Sequence, residues 1–111
     1  MAVRTKRLAQ GTVASAATGT FVLYTCPVDE TAILKSLVAE SGGTISVRFQ
    51  LAGAGGSAPG FWAVSLSSDV PQVREGWWVL HPGDIIQVVK PTTGASLRYW
   101  LSGTELEGTA D

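Results

Sequence analysis

Apolar and polar positions along this chain alternate in short runs broken by glycine, proline and small polar residues. The cleanest run is Thr44 to Leu51: Ile45, Val47, Phe49 and Leu51 fall on one side, and Thr44, Ser46, Arg48 and Gln50 on the other. A period of two is that of a β-strand, with the first set in a core and the second in water. Phe21 to Cys26 is β-branched and aromatic and is closed by Pro27, so it reads as another strand. Phe61, Trp62, Val64 and Leu66 mark a further short strand, and Ala95 to Ser102 the last, with Leu97, Tyr99 and Leu101 facing one way and Arg98, Trp100 and Ser102 the other.

The stretch GWWVLHPGDIIQVVK, Gly76 to Lys90, organises the rest. Pro82 presets φ for the first corner of a turn, Gly83 supplies the positive φ that a type II turn needs next, and Asp84 can bond back to the turn backbone. The pattern predicts a hairpin in which Trp77 to Leu80 pairs with Ile85 to Val89. Ser41-Gly42-Gly43 predicts a second hairpin, which makes a strand of Thr31 to Glu40 although its apolar spacing also suits a helix. Ala52 to Gly60 has almost no side chains to bury and reads as a mobile or tightly curved connection. Ser67 to Glu75, with Pro71 inside it, reads as a loop or broken edge strand.

Seven or eight short strands at intervals of about 8 to 12 residues are the mark of an all-β fold, a single antiparallel β-sandwich. Eight strands suit a jelly roll if Thr5 to Val13 supplies the first. The 111 residues fit one domain, with 1–12 as an N-terminal arm or edge strand and 103–111 as an acidic C-terminal tail. Thirteen glycines and only 15% charged residues suit a turn-rich β-protein. A net charge of -1 argues against a nucleic-acid binder, which would carry a strongly basic face. No apolar run approaches the ~20 residues of a membrane span, and no signal-peptide pattern follows Arg4, Lys6 and Arg7, so the chain reads as soluble and made in a cytoplasm.

Candidate chemistry is sparse. Cys26 and His81 are the sole residues of their kinds, which excludes an internal disulfide and four-cysteine zinc sites. Without clustered partners, His81 reads as an exposed turn residue and Cys26 as a small buried hydrophobe. Asp29 and Glu30 are adjacent, so their side chains diverge in extended chain and read as a solvated corner. The glycine-rich 52–60 segment lacks the lysine and hydroxyl residue of a phosphate loop. These observations point to a protein that is not an enzyme and uses no cofactor or metal.

Binding surface is the better clue. On Thr31 to Glu40, Leu34, Ser36 and Val38 share one face and Ile33, Leu37 and Ala39 the other. Both faces are apolar but for Lys35, so something covers the second. Of Trp77 and Trp78, one faces the core and the other outward. Trp62, Trp78 and Trp100 are candidates for an exposed aromatic surface, for contact with protein or for stacking on sugar, and Ile33 and Leu37 for the apolar contact. The positive start (Arg4, Lys6, Arg7) and negative end (Glu105, Glu107, Asp111) suit two solvated termini, or an assembly in which each copy's arm meets the next copy's tail.

Two blocks, YTCPVDETAILKSLVAESGGTISVRFQL (24–51) and GWWVLHPGDIIQV (76–88), together with the last strand, resemble small jelly-roll or β-sandwich structural proteins of tailed bacteriophages. The resemblance implies a non-enzymatic virion component, made in the host cytoplasm: an oligomeric capsid-decoration protein or else a minor tail protein. It implies homo-oligomers, often trimers, with major capsid or tail proteins as partners. The surplus tryptophans keep a second reading, a carbohydrate- or host-surface-binding β-sandwich whose partner is a glycan.

Overall fold

The computed structural model describes residues 3–53 and 60–107, with side chains described for 7–53 and 60–106. The expected mobile connection therefore lies largely outside the described residues. The strands are β1 (Val3–Val13), β2 (Gly19–Thr25), β3 (Glu30–Ser41), β4 (Ile45–Ala52), β5 (Gly60–Leu66), β6 (Gln72–Leu80), β7 (Ile85–Lys90) and β8 (Leu97–Glu107). They form two four-stranded antiparallel sheets, β1-β8-β3-β6 (sheet A) and β2-β7-β4-β5 (sheet B). The pairs β1·β8, β2·β7, β3·β6 and β4·β5 nest like one long hairpin, rolled so that β8 meets β3 and β7 meets β4. This is a jelly-roll β-sandwich, as the strand spacing predicts.

Two expected hairpins are corrected by this topology. β6 pairs with β3 in sheet A and β7 with β2 and β4 in sheet B, so the turn after Leu80 carries the chain from one sheet to the other. The same holds at Ser41-Gly42-Gly43, between β3 in sheet A and β4 in sheet B. The turn chemistry itself is as expected. Gly83 has φ 88°, the Asp84 amide donates to the His81 carbonyl at 3.0 Å, and the His81 amide donates to Asp84 Oδ2 at 2.9 Å. A turn signal specifies that the chain reverses; it does not say whether the returning strand pairs beside the first or packs across the sandwich, about 10 Å away. Backbone bonds between Cys26 and both Gly83 and Asp84 fasten this corner to the end of β2.

Strand bounds also shift. Residues 72–75, expected in a loop or broken edge strand, begin edge strand β6, and 103–107, expected in a tail, complete β8. On the inner faces, Leu34, Leu37, Leu97, Leu101, Phe49, Leu66, Leu80, Ile86 and Val88 are all essentially inaccessible. Each contributes about 1.5–3 kcal/mol on burial.

The face assignment on β3 is also corrected. Its register shifts between Leu34 and Ser36 against both β6 and β8. Ala32 and Leu34 point inward before the shift, and Leu37, Ala39 and Ser41 after it. Lys35 is the irregular residue. Such a bulge turns an i, i+3 pair, Leu34 and Leu37, onto one side of a strand. This is also why the stretch resembles a helix in sequence.

Several polar groups are buried with partners, Lys90 and the Tyr24–Glu105 pair among them. Lys90 is fully buried, and its Nζ donates to the carbonyls of Ser15, Ala17 and Thr92 at 3.2, 2.8 and 2.8 Å, using all three of its donors. It ties the β1–β2 and β7–β8 connections together. Tyr24 donates to Glu105 Oε2 at 2.7 Å, and burial, then this bond, hold its hydroxyl above the usual tyrosine range. The unfolded chain releases this proton above about pH 10 while the folded chain keeps it. Stability is therefore expected to carry a component that is complete below about pH 10 and declines above it. Urea midpoints measured from pH 8 to 11 check this, with Tyr24→Phe expected to show a shallower alkaline decline.

Candidate functional site

With both inner faces consumed by the core, function falls to the outer faces, and these differ. On sheet B, Ser46, Arg48 and Ser65 are exposed, Ser46 and Ser65 lie 3.1 Å apart, and Gln87 donates to Gln50 at 2.8 Å. That surface also carries Val22, the half-buried Ile85 and Val89, and the exposed Ala63, scattered among the polar residues. Sheet A instead gathers its apolar groups together. Cross-strand partners share a face, so the registers define rows across it: Gln10, Trp100, Val38 and Val73 in one, and Thr104, Ile33 and Val79 in another. Between them lie Arg7, Ser102, Ser36 and Glu75.

Trp77 crowns this surface. It is 70% exposed, with Val73 at 57% and Val79 at 50%, whereas Ile33, Val38 and Trp100 are half-buried beside them. Lys35 Nζ lies 5.6 Å from the Trp77 ring centroid, so the bulge residue braces the ring on the open side of the sheet. Toward one end, Arg98 binds Glu40 at 2.5 Å and Asp69 at 3.2 Å, which bounds the apolar area with a charged cluster.

Similarity to known proteins is confined to shape. No protein-family model and no curated protein matches the chain. Among solved structures it is similar to a chain of Bacillus endospore appendages, a family of disulfide-linked pili, at 14% identity and TM-score 0.55, covering 94% of this chain and 91% of that one. It is also similar to a chain from infectious bursal disease virus, Gx strain, at 16% identity and TM-score 0.54, covering 99% of this chain and 34% of that one. A chain of the T13 particle of the same virus gives 12% identity and TM-score 0.50, covering 97% and 36%. The chain thus spans about a third of the viral chains it matches. At these identities the likeness is one of fold: the β-sandwich is shared with chains of viral particles and of a pilus.

The residues singled out in the sequence divide three ways. Ile33 and Trp100 lie on the open face of sheet A. Arg7 lies in the same face's central row and is exposed, donating from Nη1 to Gln10 Oε1 at 2.5 Å. Arg4 and Lys6 stand in β1 opposite Glu105 and Gly103, and their side chains lie outside the described residues. Leu37, Trp62 and Trp78 are corrected. Leu37 is 0% exposed and belongs to the core, because the bulge turns it inward. Trp62 stacks on Phe49 with ring centroids 5.4 Å apart, and Trp78 packs on Phe61 at 4.9 Å. Both are half-buried and used inside the sandwich. Of the tandem pair, the outward ring is Trp77.

Trp77, Val73 and Val79 were the residues missed. Their signal was present: with Leu80 inward, its neighbour Val79 faces out, and counting back from Val79 by twos gives Trp77, Glu75 and Val73. Treating residues through Glu75 as a loop or broken edge strand hid it.

The titratable groups are placed without convergence. The His81 turn does lie beside Cys26, but the thiol is buried, with the carbonyls of Glu30 and Leu80 both in reach of its one proton. Burial pushes that thiol up, away from the reactive thiolate. Asp29 sits at a left-handed corner, φ 69°, and is exposed. Among the described residues no group of three or more His, Cys, Asp or Glu could hold a metal, and no helix is long and apolar enough to cross a membrane.

Proposed function

We propose that this protein is a non-enzymatic structural component of a tailed bacteriophage virion, an oligomeric capsid-decoration protein or else a minor tail protein, and that the outer face of sheet A is its assembly surface. One observation carries the reading. A four-stranded sheet buries one face in its own core and still presents Val73, Trp77 and Val79, each at least half exposed, on the other. An antiparallel sheet that ends at solvent carries mostly polar residues on its wet side, as sheet B does around Ser46, Arg48 and Gln50, and a contiguous apolar patch is the usual sign of a protein contact. The fold supports the reading, since viral particles and a pilus use the same sandwich. So does the likeness of the 24–51 and 76–88 blocks to phage structural proteins.

The glycan-binding reading loses Trp62 and Trp78 to internal packing and retains Trp77, whose ring is open to solvent. The two readings separate in one variant. Trp77→Asp is expected to convert an oligomer to monomers by size exclusion with light scattering, while shifting the stability of the monomer itself, measured at a concentration where wild type is also dissociated, by less than about 0.5 kcal/mol, as exposed substitutions do. Glycan binding instead predicts a monomeric wild type whose tryptophan fluorescence responds to added sugars. Placement on the virion is tested directly: antibody raised against the chain should gold-label heads or tails of the particles produced from the genome that encodes it. Absence of the chain from purified particles would overturn the proposal.

A further inference from the structure

The central row of the open face holds more than apolar surface. Arg7 on β1 is the register partner of Ser102 on β8, Ser102 of Ser36 on β3, and Ser36 of Glu75 on β6. The row thus runs from a cation at one sheet edge, over two small hydroxyls, to an anion at the other. Arg7 and Glu75 are both exposed. The Arg7 bond to Gln10, three residues on and the next outward position of β1, fixes the guanidinium along this edge.

We infer that this face docks a second copy of the same chain, the two sheets packed face to face about a two-fold axis that runs parallel to the strands between β8 and β3. The inference rests on the reading of the face as an assembly surface and names its occupant. Such an axis exchanges the two edges of the sheet while keeping position along the strands. Arg7 of each copy then lies over Glu75 of the other, and Ser102 over Ser36, where small side chains let the sheets approach. In the flanking row Trp100 meets Val38.

The alternative two-fold axis, across the strands through the same row, sets Arg7 over Arg7 and Glu75 over Glu75. Like charges juxtaposed in an interface cost several kcal/mol, so the charge pattern selects the strand-parallel arrangement. Isologous contact demands such self-complementarity. The size is sufficient: four strands at a spacing of ~4.8 Å and a length of ~35 Å give about 650 Å² per copy, or about 1,300 Å² in all, within the range of stable interfaces. Aligned packing of two twisted sheets, about 30° apart and ~10 Å between mean planes, leaves the edge residues within reach of one another.

The test is a charge swap followed by sedimentation equilibrium of the full chain. Arg7→Glu and Glu75→Arg each place two like-charge pairs in the dimer and should weaken association on the order of 100-fold, with unchanged circular dichroism. The double variant R7E/E75R should recover wild-type association. Recovery in the double supports the inference. Three results would overturn it: a wild type that is monomeric throughout, an association that neither single variant weakens, and a double variant weaker than both singles. If Trp77→Asp dissociates a species that the charge variants leave intact, the face is an assembly surface with a different arrangement. In that case this inference fails and the proposed function stands. Failure of particle labelling removes the proposed function and leaves the dimer measurement unaffected.

Discussion

Leu37→Asp is expected to unfold the protein, whereas Val38→Asp, one residue on, costs about 1 kcal/mol or less. The two positions differ only in which side of β3 they occupy. Leu37 is 0% exposed in the layer formed by Leu34, Leu97 and Leu101. Aspartate there removes the 2–5 kcal/mol that truncation of a core leucine costs and adds the burial of an unpaired carboxylate. The sum rivals the whole stability of a small domain, 5–15 kcal/mol, so no cooperative transition should remain. Val38 is half-buried on the open face beside Val73 and Trp100, where in the single chain a carboxylate stays in contact with water, so the cost to the fold is small even though association would suffer. Circular dichroism and urea unfolding of both variants decide the matter. A folded Leu37→Asp beside an unfolded Val38→Asp would mean that the bulge at Lys35 is absent and the strand runs with uninterrupted alternation.

That pair of residues also shows how far this fold was legible. The class was, because a period of two survives in nearly every segment: Ile45, Val47 and Phe49 are buried as their alternation requires, and Leu97 and Leu101 likewise. Sheet membership was not. A Pro-Gly-Asp or Ser-Gly-Gly turn is a local event, whereas the choice between β6 pairing with β7 and β6 pairing with β3 depends on which apolar faces can be enclosed together, over some forty residues of separation. The bulge was illegible for a related reason. An extra residue leaves no mark except a break in alternation, and Lys35 between Leu34 and Leu37 reads equally as a polar interruption or a helical spacing. From that one shift follows the grouping of Leu37 and Ala39 with Ile33 and of Val38 with Leu34, whereas Leu34, Leu37 and Ala39 face the core and Ile33 and Val38 the open side. At the candidate site, Trp100 and Ile33 were found because their strands were bounded well enough. Trp77 and its valines were obscured because β6 begins at Gln72, inside a stretch whose proline and polar residues suggest a loop.

Gly103→Ala is expected to cost about 3 kcal/mol or more, although it adds a single methyl group to a strand. Gly103 stands in β8 opposite Leu34, at the point where the register of β3 shifts. A Cβ placed on it would lie 2.0 Å from the Ile33 carbonyl oxygen and 3.2 Å from the Leu34 Cα. Both obstacles are backbone. A side chain can turn aside at a cost of a few tenths of a kcal/mol; a carbonyl held in a ladder between two strands cannot. Relief requires β3 and β8 to separate where they are central to sheet A, so ladder bonds lengthen on both sides of the contact and the bulge that aims Leu37 inward loses its support. Overpacking of a well-filled interior typically costs 1–3 kcal/mol, and displacement of main chain belongs at or above the top of that range. Ser102→Ala, one residue away on the open face, is the control and should change stability by less than about 0.5 kcal/mol. Urea midpoints measure the difference, and hydrogen exchange should localise it, with lost protection concentrated at residues 33–36 and 102–104. Equal stability of the two variants would show that β3 and β8 do not approach this closely, and the account of the bulge would have to be abandoned with it.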